Sequence, residues 1–313
     1  MLMKTNKTFF HLTSAKAVIA LLIAMVTPIL YFSDENAEEK KLQQRQAALS
    51  ALAEQIVFFF ENDINTKINS QLSLTHSKLF KTTPINSPQL NQALQNYQAQ
   101  NPEYIWVGVA DTRGIIRSDS PPLLVGVDAS ERPWFKGGFN NSFFGDVHTA
   151  VLLQNLLPKN GRDTLRMVDI SNPIYDDKNN LKGVLSAHLD WTWAENIIRE
   201  NWLKSSDNRQ IEIFLINAED NVLYSSSGQD LSLGKNILKT NQDYLISTKA
   251  LNIKSAKEDA QWKVLIRQMK SLSEISPPSS PLWFFGFLIT TLSFLYLIVG
   301  YFIFRRHLNS ENL

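Results

Sequence analysis

Apolar positions change their period along this chain, and the changes divide it into segments. Ala17 to Phe32 and Leu282 to Phe304 carry no charged residue. As helices rising 1.5 Å per residue these runs span about 24 Å and about 35 Å, against a hydrocarbon core of ~30 Å. The second is long enough to cross with tilt, and the first reaches if Lys16 snorkels and Ser33 is drawn in. The pattern predicts two transmembrane helices, 17–33 and 282–304. A cleaved signal peptide is the rival reading of the first, but Tyr31-Phe32-Ser33-Asp34-Glu35 offers no small-residue cleavage site, which favours an uncleaved anchor. Lys4, Lys7 and Lys16 precede the first run and Arg305-Arg306-His307 follows the second, with Trp283 at its outer edge. Basic flanks on these sides put segments 1–16 and 305–313 in the cytoplasm and roughly 250 residues outside it.

Between the runs, Leu42, Leu49, Leu52, Ile56, Phe59, Ile64, Ile68 and Leu72 recur at helical spacing. They predict one long amphipathic helix over about 34–80, its earlier part a stalk that can pair with a second copy and its later part laid on a sheet. Thr83, Pro84, Ser87 and Pro88 break it, and Leu90, Leu94 and Tyr97 mark a shorter helix before Asn101-Pro102. Strand patterns follow. Tyr104–Ala110 and Ile115–Ser118 flank a turn ending in Gly114, while Leu165–Tyr175 and Leu181–Leu189 flank Asp176–Asn180. A helix is expected over Thr192–Trp202. The pattern then restarts at smaller scale with Ile211–Ile216, Val222–Tyr224, Tyr244–Leu251 and Trp262–Met269. The predicted fold class is α+β: a long helix, then two tandem PAS-like mixed α/β modules, 81–205 membrane-distal and 206–276 membrane-proximal.

Alternate residues of a strand share a face. Val184, Ser186, His188 and Asp190 therefore oppose Leu185, Ala187 and Leu189, and Asp169 shares a face with Ser171. With a regular pleat, Trp106, Asp169, His188 and Asp190 line one concave surface. Arg132 precedes Pro133 at the expected start of a short helix reaching Phe139, beside Trp134 and Phe135. A guanidinium there binds a carboxylate bidentately, and the rings exclude solvent or stack on a cation. Asp146 adds a carboxylate. The structural alternative pairs Arg132 with Asp146 or Asp169 and leaves Trp134 as core. Gly137-Gly138 reads as a short turn signal.

Composition then removes whole classes. Lys and Arg number 31 against 30 Asp and Glu, a net charge of +1, so no basic field for nucleic acid exists. Cysteine is absent, which excludes disulfides, thiolate metal sites and cysteine nucleophiles. Asp146, His148, Asp169, His188 and Asp190 include metal-ligand types but not at metal-ligand spacing, and neither a G-x-S-x-G nor a nucleotide-binding glycine motif is present. The reading is of a non-enzyme without cofactor.

Val109-Ala110-Asp111-Thr112-Arg113-Gly114-Ile115-Ile116, Glu131-Arg132-Pro133-Trp134-Phe135, Phe144-Gly145-Asp146-Val147-His148, and Val168 to Ile174 with Gly183 to Trp191 resemble the double Cache family. Its members are periplasmic input domains of bacterial chemoreceptors, histidine kinases and diguanylate cyclases, so the resemblance implies a periplasmic domain held in a bacterial inner (cytoplasmic) membrane. The resemblance covers about 35–275 and implies a ligand pocket in the distal module. In the family's amino-acid-binding members an Arg-x-Trp-Tyr element and a later Asp hold the ligand. Arg132 and Trp134 fit, Phe135 stands where tyrosine is usual, Asp190 is the candidate acid, and Val127 stands where a tyrosine is expected. The candidate ligand-binding set is Trp106, Arg132, Trp134, Phe135, Asp146, Asp169, His188 and Asp190. The expected function is a membrane-anchored sensor of a carboxylate- or amine-bearing small molecule, with homodimerisation through the stalk. The tail 305–313 is too short for an output domain, so a diguanylate cyclase or kinase partner is expected to carry the signal. The alternative is a periplasmic protein-interaction module with a vestigial pocket.

Overall fold

The structure, a computed structural model, describes residues 2–157, 164–203, 211–227, 243–253, 260–270 and 282–310. The chain divides into two compact units, one of Met1–Ala47 with Lys270–Leu313 and the other of Ala48–Met269. Both sheets and the candidate residues belong to the second.

Helix α1 runs Leu2–Thr75. In the second unit its buried face is Leu49, Ala53, Ile56, Phe60, Ile64, Ile68, Gln71 and Thr75, spaced by three and four residues. This corrects the predicted stripe: Phe60 is buried and Phe59 is 38% exposed, because steps of four from Ile56 to Ile64 pass through 60. The helix also stops short of residue 80. Ser77 caps a separate helix α2 (Lys78–Thr82), its hydroxyl accepting from the Phe80 amide at 3.4 Å. Helix α3 (Pro88–Gln100) starts the same way, with Ser87 as cap and Pro88 in the first turn.

Among the described residues the first sheet is antiparallel, in the order β2-β1-β6-β5-β3 with β4 beside β5. Its strands are β1 (Tyr104–Asp111), β2 (Ile116–Ser120), β3 (Phe143–Phe144), β4 (His148–Thr149), β5 (Arg166–Tyr175) and β6 (Leu181–Asp190). The turn between β1 and β2 needs Gly114 at φ 85°, and Asp111 closes it by accepting from the Arg113 and Ile115 amides. Helix α4 (Pro133–Gly138) lies between β2 and β3, and α5 (Thr192–Leu203) follows β6. The second sheet has the order β8-β7-β10-β9, from β7 (Ile211–Ile216), β8 (Val222–Ser225), β9 (Tyr244–Ala250) and β10 (Lys263–Met269). The mixed α/β fold expected from the strand patterns, an N-terminal helix followed by antiparallel sheets, is therefore present.

The two faces of the first sheet are used differently. Asn172 of β5 donates its side-chain amide to Gln71 of α1 at 2.9 Å, and Gln71 donates to the Ile170 carbonyl at 3.2 Å. That face is covered by α1. The other carries Asp169, Ser171, Ser186 and His188, with α4 seated on it. A Cβ at Gly138 would stand 2.7 Å from the Ser171 Cβ and 2.8 Å from Val184. Gly138 is thus a contact residue that lets α4 approach the sheet, beyond the turn signal read from sequence.

In the other unit, helix α6 runs Leu282–Ser310. Its side chains are described only over 289–303 and 305–306, where Leu292, Leu295, Tyr296 and Phe302 are exposed. Among the described residues no helix is long and apolar enough to cross a membrane.

Candidate ligand pocket

A cavity of about 450 Å³ opens on the α4 side of the first sheet. This is within the range of small-molecule sites. Met167 and Asp169 of β5 and His188 of β6 form its floor, and Ile116 of β2 closes one end. Arg132, Pro133 and Trp134 form one wall. Phe143 and the run from Gly145 to Thr149 form the other, completed by the exposed Val151 and Leu152 and the buried Leu153. The lining is mainly apolar, so polar groups that reach it act in a partly desolvated setting.

Cross-strand register builds the floor. Trp106, His188 and Asp169 are direct neighbours on β1, β6 and β5, so three residues far apart in sequence stand in one row. Asp169 is 2% exposed and lies between two imidazoles. His148 Nε2 meets its Oδ2 at 2.9 Å, and His188 Nδ1 faces its Oδ1 at 2.6 Å without the alignment of a hydrogen bond. Burial pushes the Asp169 carboxyl up, but the charge of His188 and the bond to His148 outweigh it and hold the group well below the usual carboxylate range. Burial likewise pulls His148 down, and the bond to Asp169 with its charge more than offsets this, leaving the imidazole raised. Trp106 backs this row without lining the cavity. Its ring stacks on His188 at 4.6 Å and its Nε1 donates to Asp119 Oδ2 at 3.0 Å.

Arg132 is the N-cap residue of α4, in extended conformation with Pro133 in the first helical turn. Its guanidinium has no hydrogen bond or ion pair among the described residues. The internal bridge to Asp146 or Asp169 is not formed. Glu131 pairs instead with Lys136 at 2.6 Å, and Asp146 accepts from Trp262 Nε1 at 2.7 Å and from the Val147 amide at 2.8 Å, both on Oδ1. Trp134 is buried, lines the cavity and meets His188 edge to face at 6.1 Å.

Of the eight residues picked from sequence, Arg132, Trp134, Asp146, Asp169 and His188 come together at the cavity. Trp106, Phe135 and Asp190 do not line it. Phe135 packs in the core against Trp134 and Phe139. Asp190 accepts from the Thr192 amide and hydroxyl, each at 2.8 Å, and so starts α5. Its face was read correctly from parity, but the chain turns into α5 immediately after it. His148, absent from the ligand-binding set, is a principal polar lining residue. The two-residue strand β4 sets it opposite Met167, next to Asp169, and so short a strand leaves no periodic signal. Val151, Leu152 and Leu153 carried no chemistry to mark them.

No curated protein sequence matches the chain. Solved structures do. The fold superposes on an extracellular ligand binding receptor from Desulfohalobium retbaense with TM-score 0.53 and 13% identity, over 71% of this chain and 40% of that one. It also superposes on the ligand-binding domain of the Pseudomonas fluorescens chemoreceptor CtaA in complex with L-serine, at TM-score 0.53, 13% identity, and 72% and 98% coverage. The ligand-binding domain of the Pseudomonas aeruginosa amino-acid chemoreceptor PctC, in complex with GABA, gives TM-score 0.56 at 12% identity, with 72% and 99% coverage. At these identities the likeness is one of fold. The dCache model, a Cache domain, matches residues 33–276, which contain both sheets and the cavity, and the chain belongs to that family.

Proposed function

We propose that this chain is a membrane-anchored, extracytoplasmic sensor that binds a small molecule in the cavity of its first sheet. The observation that carries the reading is the Arg132 guanidinium, which among the described residues has no hydrogen bond or ion pair and stands at a cavity of about 450 Å³ where Asp169 is flanked by His148 and His188. A cation on a partly desolvated wall that forms no ion pair among the described residues suits an external counter-charge. Support comes also from the family and from structural neighbours that are ligand-binding domains in complex with L-serine and GABA. Anchoring rests on the uncharged run Leu282–Phe304 and the exposed apolar side chains of α6.

Thermal unfolding of the full chain against a library of amino acids, carboxylates, amines and nucleobases tests this. A ligand at 100 times its Kd adds about 2.7 kcal/mol, enough to move the midpoint by several degrees. No shift with any compound sinks the sensor reading. Capture of a stoichiometric extracytoplasmic protein by the same chain would then favour the interaction-module alternative.

A further inference from the structure

We infer that the pocket takes small carboxylates with an apolar body and no ammonium group, unlike the amino-acid-bound neighbours; this rests on the sensor reading above. The argument is an inventory of donors and acceptors. An α-amino acid brings a carboxylate, which needs donors, and an ammonium, which needs acceptors. The donor side is open, because the Arg132 fork is unengaged among the described residues and stands on the cavity wall.

The acceptor side is largely closed. Asp169, the carboxylate of the floor, has His148 on one oxygen and His188 against the other, at 2.9 and 2.6 Å. An ammonium reaching Asp169 would have to displace an imidazole from a carboxylate that is 2% exposed. Asp146, the second wall carboxylate, is committed through Oδ1 to the Trp262 indole and its own turn. Its Oδ2 is left open on the wall, an ammonium would compete there, and the probes below measure that competition directly. His148 is held in its cationic form more readily than an ordinary imidazole, which adds to the repulsion of a second cation.

The remaining surface fits an apolar body. Trp134, Phe143, Ile116, Leu153 and Met167 face the same space as the guanidinium. A branched alkyl or phenyl group attached to a carboxylate buries itself there while the carboxylate meets Arg132. The same body with an ammonium beside the carboxylate must desolvate a second charge, with only the open oxygen of Asp146 and the Thr149 hydroxyl left as side-chain acceptors, which costs about tenfold or more in affinity.

Matched probes differing by one group test this by isothermal titration of the full chain. They are 4-methylpentanoate, L-leucine and 3-methylbutylamine, and in parallel 3-phenylpropanoate, L-phenylalanine and 2-phenylethylamine. The expected result is binding of the two simple acids at least about tenfold tighter than their amino acids, with no heat from the amines. Arg132→Gln should remove acid binding and leave the unfolding midpoint unchanged, since the guanidinium makes no hydrogen bond or ion pair among the described residues. Amino acids or amines binding as tightly as the simple acids would overturn the ligand class and leave the sensor reading intact. Silence from all six probes would also overturn the class, whereas only silence across the wider library removes the sensor reading.

Discussion

The indole Nε1 of Trp262 donates to Asp146 Oδ1 at 2.7 Å, which ties the second sheet to the wall of the ligand cavity in the first. Trp262 directly precedes β10 and is fully buried, with ring centroids 5.2 Å from Phe144, 5.7 Å from Trp191 and 6.3 Å from Phe60 of α1. Arg166 makes a second tie, stacking on Trp191 at 4.7 Å and donating to the Leu223 carbonyl at 3.0 Å. A ligand that shifts the 145–149 wall therefore acts on a packed joint that includes α1.

Trp262→Phe keeps most of the ring and deletes the donor. The hydrogen bond to a carboxylate is worth about 1.5–3 kcal/mol, so unfolding stability should fall by about 2 kcal/mol in denaturant titrations. Trp262→Ala should cost about 3–5 kcal/mol, because the cavity it leaves cannot collapse among three rings. Equal losses in the two variants would mean that the indole nitrogen, rather than packing, dominates.

Arg132→Ala should separate binding from folding. With no protein partner for its guanidinium among the described residues, the change should move stability by less than about 0.5 kcal/mol. Any ligand-induced rise in midpoint should disappear. A large loss of stability in the unliganded variant would show that Arg132 is structural.

Asp169→Asn removes the charge that two imidazoles share, and should cost about 3 kcal/mol at neutral pH. Because the Asp169 carboxyl titrates below its unfolded value, its stabilisation is present above pH about 4 and is lost only as pH falls through the folded value. The gap between wild type and Asp169→Asn in urea titrations should therefore stay open through mildly acidic pH and close in strong acid. A gap that closed near neutrality would contradict the assignment.

His148 carries the opposite sign. Its folded value lies above the unfolded one, so its contribution is full below pH about 6.5 and fades as pH rises through the folded value. The side chain is 42% exposed, so the effect is damped by solvent. Comparing wild type with His148→Gln from pH 5.5 to 9 should show their midpoints converging on the alkaline side. Divergence there would reverse the sign and remove the His148–Asp169 coupling.

Gly138→Ala should separate α4 from the sheet. The added Cβ meets Ser171 and Val184 inside 3 Å, and relief of such overpacking costs about 1–3 kcal/mol. Since Arg132 caps the same helix, ligand affinity should fall along with stability. Unchanged affinity in a folded variant would show that Arg132 is positioned by its loop alone.

Much of this was legible from period and parity. Strand alternation put Asp169 and His188 on one face because side chains of a pleat alternate wherever the chain runs, and Pro133 marked the helix start that carries Arg132. The helical stripe on α1 was legible to within one position, and Phe60 replaced Phe59 because the buried stripe is fixed by the sheet it meets. Tertiary structure decided the rest. Asp190 was spent on starting α5, Trp106 became the backing of His188, and Asp146 was claimed by Trp262 from 116 residues away. His148 entered through a two-residue strand whose pairing alone gives it a direction. The chain by itself determined which faces exist, because periodicity is local; which polar groups remain open to a ligand depended on partners that only long-range register and packing bring within hydrogen-bonding distance.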